Sequence, residues 1–321
     1  MRSRKVRVGT FWRRGNTSIS PVLAAAVLAV LLTAPGWTQE VSGWRLTTTL
    51  YGEDSGRFSQ PQGIFYHEET GTLVVGSTGD NRLVLYGESD GVLTVKATIA
   101  QPNIFTAPRY FVRDSKGNII VSQEVSRKLQ VINLQGVQVE TIGFKEVPGG
   151  ERLMPGPLAI RSDRLYVVDL TGGRIVVLDE RRQFVRQMHP DDPAFRGFNA
   201  LAVDGGGFVY GLDTLGGRIY KFSPDGTMES KFGQRGLEPD QFEFPTALAV
   251  DKRGLIYVVD QHRGTVLVFN RQGSYQGHFV SKGWEEGKVY YPSAIAVDRS
   301  GRVFIADRNN QRVVVFAPKE E

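Results

Sequence analysis

Two segments of this chain are near copies of each other. "FEFPTALAVDKRGLIYVVDQ" starts at Phe242 and "VYYPSAIAVDRSGRVFIADR" starts at Val289, so Asp251 and Asp298 hold the same place 47 residues apart. A third segment places Asp204 a further 47 residues upstream. Repeats of about 20–50 residues are typical of architectures in which each unit buries its apolar surface against its neighbours. The spacing therefore predicts a repeat protein.

Three more divergent copies bring the total to six. They start at three prolines, Pro61, Pro108 and Pro157. Every copy consists of apolar runs that are too short for helices, separated by polar turns that contain glycine. In the fifth copy these runs are Leu248–Val250, Leu255–Val259, "VLVFN" and "SYQGHFV". Four antiparallel strands, repeated around an axis, describe a propeller blade, so we predict an all-β, six-bladed β-propeller.

The two ends of the chain predict how the ring closes. The last copy stops after its third strand, "RVVVF", whereas Gly43–Gly52 resembles a fourth strand and precedes the first copy. Pairing this N-terminal strand with the last blade would remove two exposed sheet edges, which promote aggregation. From Trp44 to Ala317 there are 274 residues, which is about 46 for each of six blades.

The residues before the repeats resemble a targeting segment. Six basic residues precede an uninterrupted apolar run, Val22–Leu32, of 11 residues. A signal-peptide core needs about 7–15 apolar residues, whereas a membrane-spanning helix needs about 20. We therefore predict a signal peptide over residues 1–36 and a propeller over 37–321, in the periplasm or outside the cell. The alternative is an uncleaved N-terminal anchor, Ile19–Trp37, that holds the propeller at a membrane.

The basic isoelectric point of about 9.3 does not predict binding to nucleic acid. Without the six basic residues of the N-terminal segment, the 39 Lys and Arg residues become 33 against 34 Asp and Glu, a net charge of −1. A generic electrostatic attraction to DNA or RNA is therefore absent from the predicted propeller. The chain has no cysteine, which excludes disulfides and thiolate metal sites.

The segments "FGQRGLEPDQFEFPTALAVDKRGLIYVVD" and "ADRNNQRVVVF" resemble the NHL repeat. The resemblance extends over the whole chain after the predicted signal, and it is weakest in the first two copies, where Gly76 and Ser122 interrupt the pattern. It implies a six-bladed propeller in an exported bacterial NHL-repeat protein. It does not imply one function, because such propellers include RNA-binding domains, interaction domains, receptor sensor domains and a metal-dependent peptide-amidating lyase.

The most regular polar feature is an aspartate that closes the second strand of a copy, followed five residues later by a cation. The aspartates are Asp169, Asp213, Asp260 and Asp307; the later positions are Arg174, Arg218, Thr265 and Arg312, with Arg82 and Lys128 in similar places earlier. One hypothesis is a ring of cations that holds an anionic ligand on one face. The alternative is that each pair braces its own turn, since a feature repeated in most blades usually serves the repeat.

Metal ligands do not converge in the predicted fold. Of the four histidines, only His189 and His262 are predicted on the same face, and His67 and His278 lie elsewhere. The zinc-binding histidines that the resemblance to amidating lyases would require are therefore missing. The strands that line the predicted channel begin with Gln62, Tyr110, Leu158, Asn199, Thr246 and Ser293. This set has no acidic cluster, so we predict no cofactor, although Ca²⁺ in the central channel stays open.

The longer connections between blades carry aromatic and basic residues. They include Phe144, Met154, Phe195, Phe198, Trp284 and Tyr290, with Arg152, Arg196 and Lys288 nearby. Such residues favour a protein or peptide interface, and the alternative is that the aromatic rings fill gaps between blades.

We predict a monomeric, non-catalytic propeller that binds a protein, peptide or glycan through these loops. The predicted ligand-binding residues are Arg82, Lys128, Arg174, Arg218, His262, Arg312, Trp284, Phe195 and Arg196. The alternative function is a periplasmic lyase or lactonase-like enzyme that uses a divalent ion in the channel.

Overall fold

The computed structural model describes residues 43–52, 56–123 and 126–319. Regular structure in these ranges is β-strand, apart from two short 3₁₀ turns, Thr78–Asp80 and Gly150–Arg152. The predicted signal peptide or anchor lies outside the described residues. Across the described ranges, no helix has the length and apolar character needed to cross a bilayer.

The described residues form six antiparallel sheets of four strands, which we number as blades. Blade 1 contains β2 (Pro61–His67), β3 (Thr72–Ser77), β4 (Arg82–Ser89) and β5 (Val92–Ala100). Blade 2 contains β6 (Tyr110–Arg113), β7 (Ile119–Ser122), β8 (Leu129–Ile132) and β9 (Gln138–Ile142). Blade 3 contains β10 (Pro155–Arg161), β11 (Arg164–Asp169), β12 (Arg174–Leu178) and β13 (Phe184–Met188). Blade 4 contains β14 (Ala200–Val203), β15 (Val209–Asp213), β16 (Arg218–Phe222) and β17 (Met228–Phe232). Blade 5 contains β18 (Pro245–Val250), β19 (Ile256–Asp260), β20 (Thr265–Phe269) and β21 (Tyr275–Phe279). Blade 6 contains β22 (Ala294–Val297), β23 (Val303–Asp307), β24 (Arg312–Pro318) and β1 (Trp44–Leu50).

Blade 6 joins the two ends of the chain. Strand β1 pairs antiparallel with β24, in a register that runs from Trp44 opposite Pro318 to Leu50 opposite Val313. A register shift between Leu46 and Thr48 marks an irregularity in this pairing. The N-terminal strand therefore supplies the fourth strand of the last blade, and the predicted six-bladed propeller closed by that strand is confirmed.

The hydrophobic core lies between the blades. Each of six buried clusters combines residues of two neighbouring sheets. Val131 of blade 2 and Val167 of blade 3 share one cluster, and Val313 of blade 6 shares another with Leu73 of blade 1. Because the second example joins the last blade to the first, every blade buries both faces of its sheet, and the stack becomes a closed ring.

The two ends of the blades differ in their connections. The first-to-second-strand turns lie at one end, which we call the turn face; there Asp251 accepts hydrogen bonds from the amides of Arg253 and Leu255, each at 2.9 Å. Asp298 does the same for its own turn in blade 6. These two repeated aspartates therefore hold tight turns, because each carboxylate satisfies amides that the turn leaves unpaired.

The other end, which we call the loop face, carries the second-to-third-strand turns and the loops that lead to the next blade. Asp260, at the end of β19, accepts hydrogen bonds from the amides of Glu243 and Phe244 in the loop before β18. Asp307 accepts one from the amide of Tyr290 in the loop before β22, at 2.7 Å. The turn and the incoming loop of one blade are thus tied together.

Candidate functional site

Two of the predicted cations on the loop face are ion-paired within their own blade. The Nε atom of Arg174 lies 3.0 Å from Oδ2 of Asp169, and the Nε atom of Arg312 lies 2.8 Å from Oδ2 of Asp307. All four side chains are largely buried. Each ion pair links the end of the second strand to the start of the third and so braces the turn between them. This agrees with the alternative to a ligand-binding ring, because the two guanidinium groups are already paired with carboxylates.

The other members of the predicted ring differ from blade to blade. Arg82 donates to Asp80 in its own turn, and Thr265 replaces the cation in blade 5, where its hydroxyl contacts the carbonyl oxygens of Phe279 and Val280. Lys128 is exposed. Arg218 is half-buried, and within the described residues its side chain has no hydrogen bond or ion pair. Anion binding by these cations stays a prediction.

Phe195 and Arg196 lie in the loop between blades 3 and 4. The ring of Phe195 packs on Phe198 with a centroid distance of 4.6 Å, and on Tyr220 at 5.3 Å. The guanidinium group of Arg196 donates to backbone carbonyls of its own loop, including that of Pro193. Phe195 therefore takes part in packing, while Arg196 stays exposed at the loop surface.

One position in the loops supplies apolar side chains that fill the gaps between blades. It lies three residues before a proline that begins or precedes a first strand, and its occupants are Phe58, Phe105, Phe242 and Val289. Each is buried in a cluster between two blades. Phe144 and Phe198 are also buried. The gap-filling explanation therefore holds for most of the predicted loop aromatics, but not for Trp284.

Trp284 is 69% exposed, although the loop that carries it is firmly held. The Nη2 atom of Arg312 donates to the carbonyl oxygens of Trp284, Glu285 and Lys288 at 2.8–3.3 Å. Asn310 donates to the carbonyl of the neighbouring Gly283 at 3.0 Å. The buried Arg312 thus fixes the loop backbone while the indole faces solvent.

Five rings form a continuous chain from blade 5 to this loop, and we call them the aromatic patch. Its members in order of contact are Phe244, His262, Tyr291, Tyr290 and Trp284, with centroid distances of 4.6, 6.1, 5.0 and 5.1 Å between successive rings. Lys282 donates to the carbonyl oxygen of His262, and its ammonium group lies 5.3 Å from the centroid of Tyr291. The aromatic patch therefore combines apolar ring surface with a cation held over it.

Further exposed apolar side chains lie on the same face. Leu237, in the loop before β18, is 81% exposed, and Leu215, in the turn after β15, is also exposed. Arg263 donates to the carbonyl oxygens of Glu238 and Gln241, at 2.9 and 2.6 Å, so this loop too is held by hydrogen bonds from an arginine to its backbone. Exposed apolar groups on fixed loops are typical of binding surfaces.

Two cavities lie along the central channel, and an apolar constriction separates them. The same five aliphatic side chains line both cavities: Ile64, Leu158, Leu201, Leu248 and Ile295. The cavity at the loop face measures about 90 Å³ and the one at the turn face about 490 Å³. We call the larger one the vestibule.

The cavity at the loop face is lined by all six residues predicted to begin the channel strands. Asn199 Oδ1 accepts a hydrogen bond from the amide of Thr214, and Ser293 donates to the carbonyl of Pro61. The buried Oγ1 of Thr246 has no partner within the described residues. Ca²⁺ takes about 6–8 oxygen ligands that usually include carboxylates, whereas no Asp or Glu is among the described residues that line this cavity.

The histidines are dispersed, as the register predicts. His67 ends β2 on the turn face, His278 lies on the outer strand β21, and His189 packs against Phe195. His262 belongs to the aromatic patch. Within the described ranges, no three metal-binding side chains come together.

These features define the class of the protein as a six-bladed β-propeller with a constricted channel. The NHL repeat model matches residues 289–316, from the loop before β22 into β24 of blade 6. A comparison with curated protein sequences finds no significant match.

Solved structures share the fold at low sequence identity. A gluconolactonase from Xanthomonas campestris superposes with a TM-score of 0.62 at 17% identity, over 90% of this chain and 99% of that one. A virginiamycin B lyase from Staphylococcus aureus, a catalytically inactive form with quinupristin, gives 0.59 at 11%, over 85% and 99%. Regucalcin from Agrobacterium tumefaciens, a calcium-binding protein, gives 0.60 at 13%, over 85% and 94%. At these identities the likeness shows the fold alone.

Proposed function

We propose that this protein is a non-catalytic binding propeller that holds a protein or peptide on its loop face, centred on the aromatic patch. The observation that carries the proposal is the exposed indole of Trp284 on a loop whose backbone is fixed by Arg312. The indole contacts Tyr290 but leaves most of its surface exposed to solvent. It is available for a partner.

The chemistry of the aromatic patch favours a polypeptide. Trp, Tyr and Arg are enriched among the residues that contribute most to protein interfaces. Hydrogen bonds from Arg312 and Asn310 hold the loop backbone without a partner, so less conformational entropy is lost on association. Leu237 and Leu215 add exposed apolar side chains to the same face, and the exposed Lys282 and Glu285 supply charges close to Trp284 in the sequence.

We further propose that the propeller acts outside the cytoplasm as a monomer, without a nucleic-acid partner. The support is the basic segment and 11-residue apolar run before the first strand, together with the net charge of −1 of the remaining chain.

A metal-dependent lyase or lactonase-like activity is the second candidate. It is favoured by the fold shared with a lyase and a gluconolactonase, and opposed by the lack of carboxylates at the loop-face mouth of the channel. Metal analysis of the purified protein separates the two candidates. Tightly bound stoichiometric Ca²⁺ or Zn²⁺, with a hydrolytic or lyase activity that chelation abolishes, would favour the enzyme.

Site-specific photo-cross-linking tests the binding proposal. A photoreactive phenylalanine analogue replaces Trp284 in one variant and Val92 in a control, because Val92 is also exposed but begins β5, next to the β4–β5 turn on the opposite face. In extracts of the source cells we expect a discrete cross-linked polypeptide from position 284 and none from position 92. Equal cross-linking from both positions, or cross-linking from position 92 alone, contradicts the proposal.

A further inference from the structure

The vestibule at the turn face has the size of a small-molecule site. Its volume of about 490 Å³ falls within the range of about 300–1,000 Å³ that ligand pockets occupy. The constriction of Ile64, Leu158, Leu201, Leu248 and Ile295 closes its inner end. Further aliphatic side chains of the first strands form its walls, among them Ile160, Val203 and Val250. The inner part of the vestibule therefore offers aliphatic side chains, whereas most of its accessible lining is polar.

Two of the polar side chains that line the vestibule are buried, one from blade 1 and one from blade 2. His67 is 8% exposed and Arg113 is 9% exposed. His67 Nδ1 lies 2.8 Å from the hydroxyl oxygen of Thr70, and Arg113 Nη1 donates to the same oxygen at 2.9 Å. Arg113 also donates to Thr72 and, through Nε, to the carbonyl oxygen of Gly117. One hydroxyl thus links the imidazole to the guanidinium group.

Arg113 carries a buried positive charge without a counter-ion. Its three hydrogen-bond acceptors are neutral, and among the described residues no carboxylate forms an ion pair with it. Burial lowers the pKa of the Arg113 guanidinium, with Asp114 acting in the opposite direction. Buried charges in proteins are usually paired, so this position is suited to an anion that the chain itself does not supply.

The carboxylates of the vestibule lie at its exposed rim. Glu68 pairs with Arg161 at 3.3 Å, and this ion pair joins blade 1 to blade 3 beside the turn of blade 2. Glu69 and Asp163 are exposed. The opening therefore carries charges of both signs, because Arg299 is also exposed there, while Arg113 lies buried in the wall without an ion pair among the described residues.

We propose that the vestibule binds a small organic anion with an apolar body, whose carboxylate or phosphate group is held by Arg113. The apolar body lies against the aliphatic walls, and the anionic oxygens accept charge-assisted hydrogen bonds from the guanidinium group. His67, whose Nε2 has no hydrogen-bond partner among the described residues and which lines the same vestibule, stands beside this group. This site lies at the opposite end of the channel from the aromatic patch and does not depend on the proposed function.

Calorimetric titration of the intact protein with four six-carbon probes tests the proposal: hexanoate, hexyl phosphate, hexanol and hexylammonium. At least one of the two anions is expected to bind with one-to-one stoichiometry. The alcohol and the cation should bind at least about tenfold more weakly, because they lack the charge-assisted hydrogen bonds. Comparison of the two anions shows whether a carboxylate or a phosphate is preferred. Binding of all four probes with equal affinity, or of none, overturns the proposal.

Two substitutions locate the anion. Arg113→Met is expected to weaken binding by at least about tenfold, while Arg113→Lys, which keeps the charge, should weaken it less. Arg218→Met is the matched control, because Arg218 is also an arginine without a counter-ion among the described residues but lies on the loop face. The affinity of the Arg218→Met variant for the anion should stay within about twofold of the wild-type affinity. Loss of binding in the Arg218 variant instead would place the anion on the loop face and contradict the proposal.

Amide resonances of the wild-type protein test the same site without requiring the Arg113 variants to fold. Addition of the bound anion should shift the backbone amide resonances of Thr70, Thr72 and Arg113, whose side chains form the hydrogen-bond network around the Thr70 hydroxyl. The amides of residues 282–291, on the loop face, should not move. The reverse pattern contradicts the proposal.

Discussion

The indole of Trp44 stacks on the ring of Phe279, with the ring centroids 4.5 Å apart and the planes inclined by 13°. Trp44 begins β1, which closes the ring, and Phe279 ends β21 of blade 5. The same indole meets Tyr257 of blade 5 edge-on at 5.6 Å. The closing strand is therefore held by its hydrogen bonds to β24 and also by aromatic packing against the neighbouring blade.

This packing predicts opposite behaviour for two tryptophans. Trp44→Ala should lower the free energy of unfolding by about 2–4 kcal/mol, because the substitution removes a large aromatic ring from the interface between blades 5 and 6. Trp284→Ala should change it by less than about 0.5 kcal/mol, since the indole is exposed. Denaturant unfolding followed by circular dichroism measures both. Equal losses of stability would show that Trp44 does not anchor the closing strand.

Arg312 and Arg218 occupy the same position in blades 6 and 4 but have different surroundings. Arg312→Met should lower the free energy of unfolding by about 3–5 kcal/mol, because it leaves the carboxylate of Asp307 buried without its cation and releases three carbonyls of the loop that carries Trp284. Arg218→Met should cost less than about 1 kcal/mol. The comparison uses the same denaturant titration. A similar cost at both positions would contradict the view that Arg312 braces the loop.

His67 gives the stability a dependence on pH with a defined sign. Burial, and then the charge of Arg113, lower the pKa of His67 below its ordinary value of 6.5. As the pH falls through 6.5 the unfolded chain binds a proton before the folded one does, so the free energy of unfolding decreases until the pH passes the pKa in the folded state. His67→Gln should remove this contribution.

The measurement is the free energy of unfolding of the wild type and of His67→Gln at about pH 8 and about pH 5. The wild type should lose more stability than the variant between the two values. A loss that is equal in both proteins, or greater in the variant, would mean that the imidazole is not held in its neutral form.

Most of the fold could be predicted because the same pattern of short strands and polar turns recurs in six copies. Asp251 and Asp298 mark equivalent turns, and the incomplete last copy together with the unassigned strand at Trp44 indicates the closure. The role of Asp307 could be predicted only as one of two alternatives. Sequence spacing shows that it recurs with Arg312, but not which amides its carboxylate accepts.

The sites were less predictable, because they depend on departures from the repeat. Phe198 and Trp284 both lie in connecting loops, and only the structure shows that Phe198 is buried between blades whereas Trp284 is exposed. The vestibule joins His67 and Thr70 of blade 1 to Arg113 of blade 2, residues that no shared motif connects. The one available signal was the first turn of blade 1, whose "HEET" replaces the aspartate found at the equivalent turns of four of the five later copies.

Both faces of the propeller, and both ends of its channel, exist only because the six sheets form a closed ring. Because the chain has no cysteine, a disulfide between two introduced cysteines tests this closure. Arg45 lies opposite Ala317 in the pairing of β1 with β24, and both side chains are accessible. Thr49 lies opposite Val314, three residues further along β24. That offset is about 10 Å, which exceeds the roughly 7 Å that a disulfide bridges.

Under mild oxidation, the variant Arg45→Cys with Ala317→Cys should form one intramolecular disulfide, detected by mass spectrometry and by its shifted mobility on a non-reducing gel. The control variant, Thr49→Cys with Ala317→Cys, should stay reduced. A closed propeller predicts this difference. Absence of the disulfide in the first variant, equal oxidation of both variants, or a bond that joins two molecules would contradict the closure of the ring by β1.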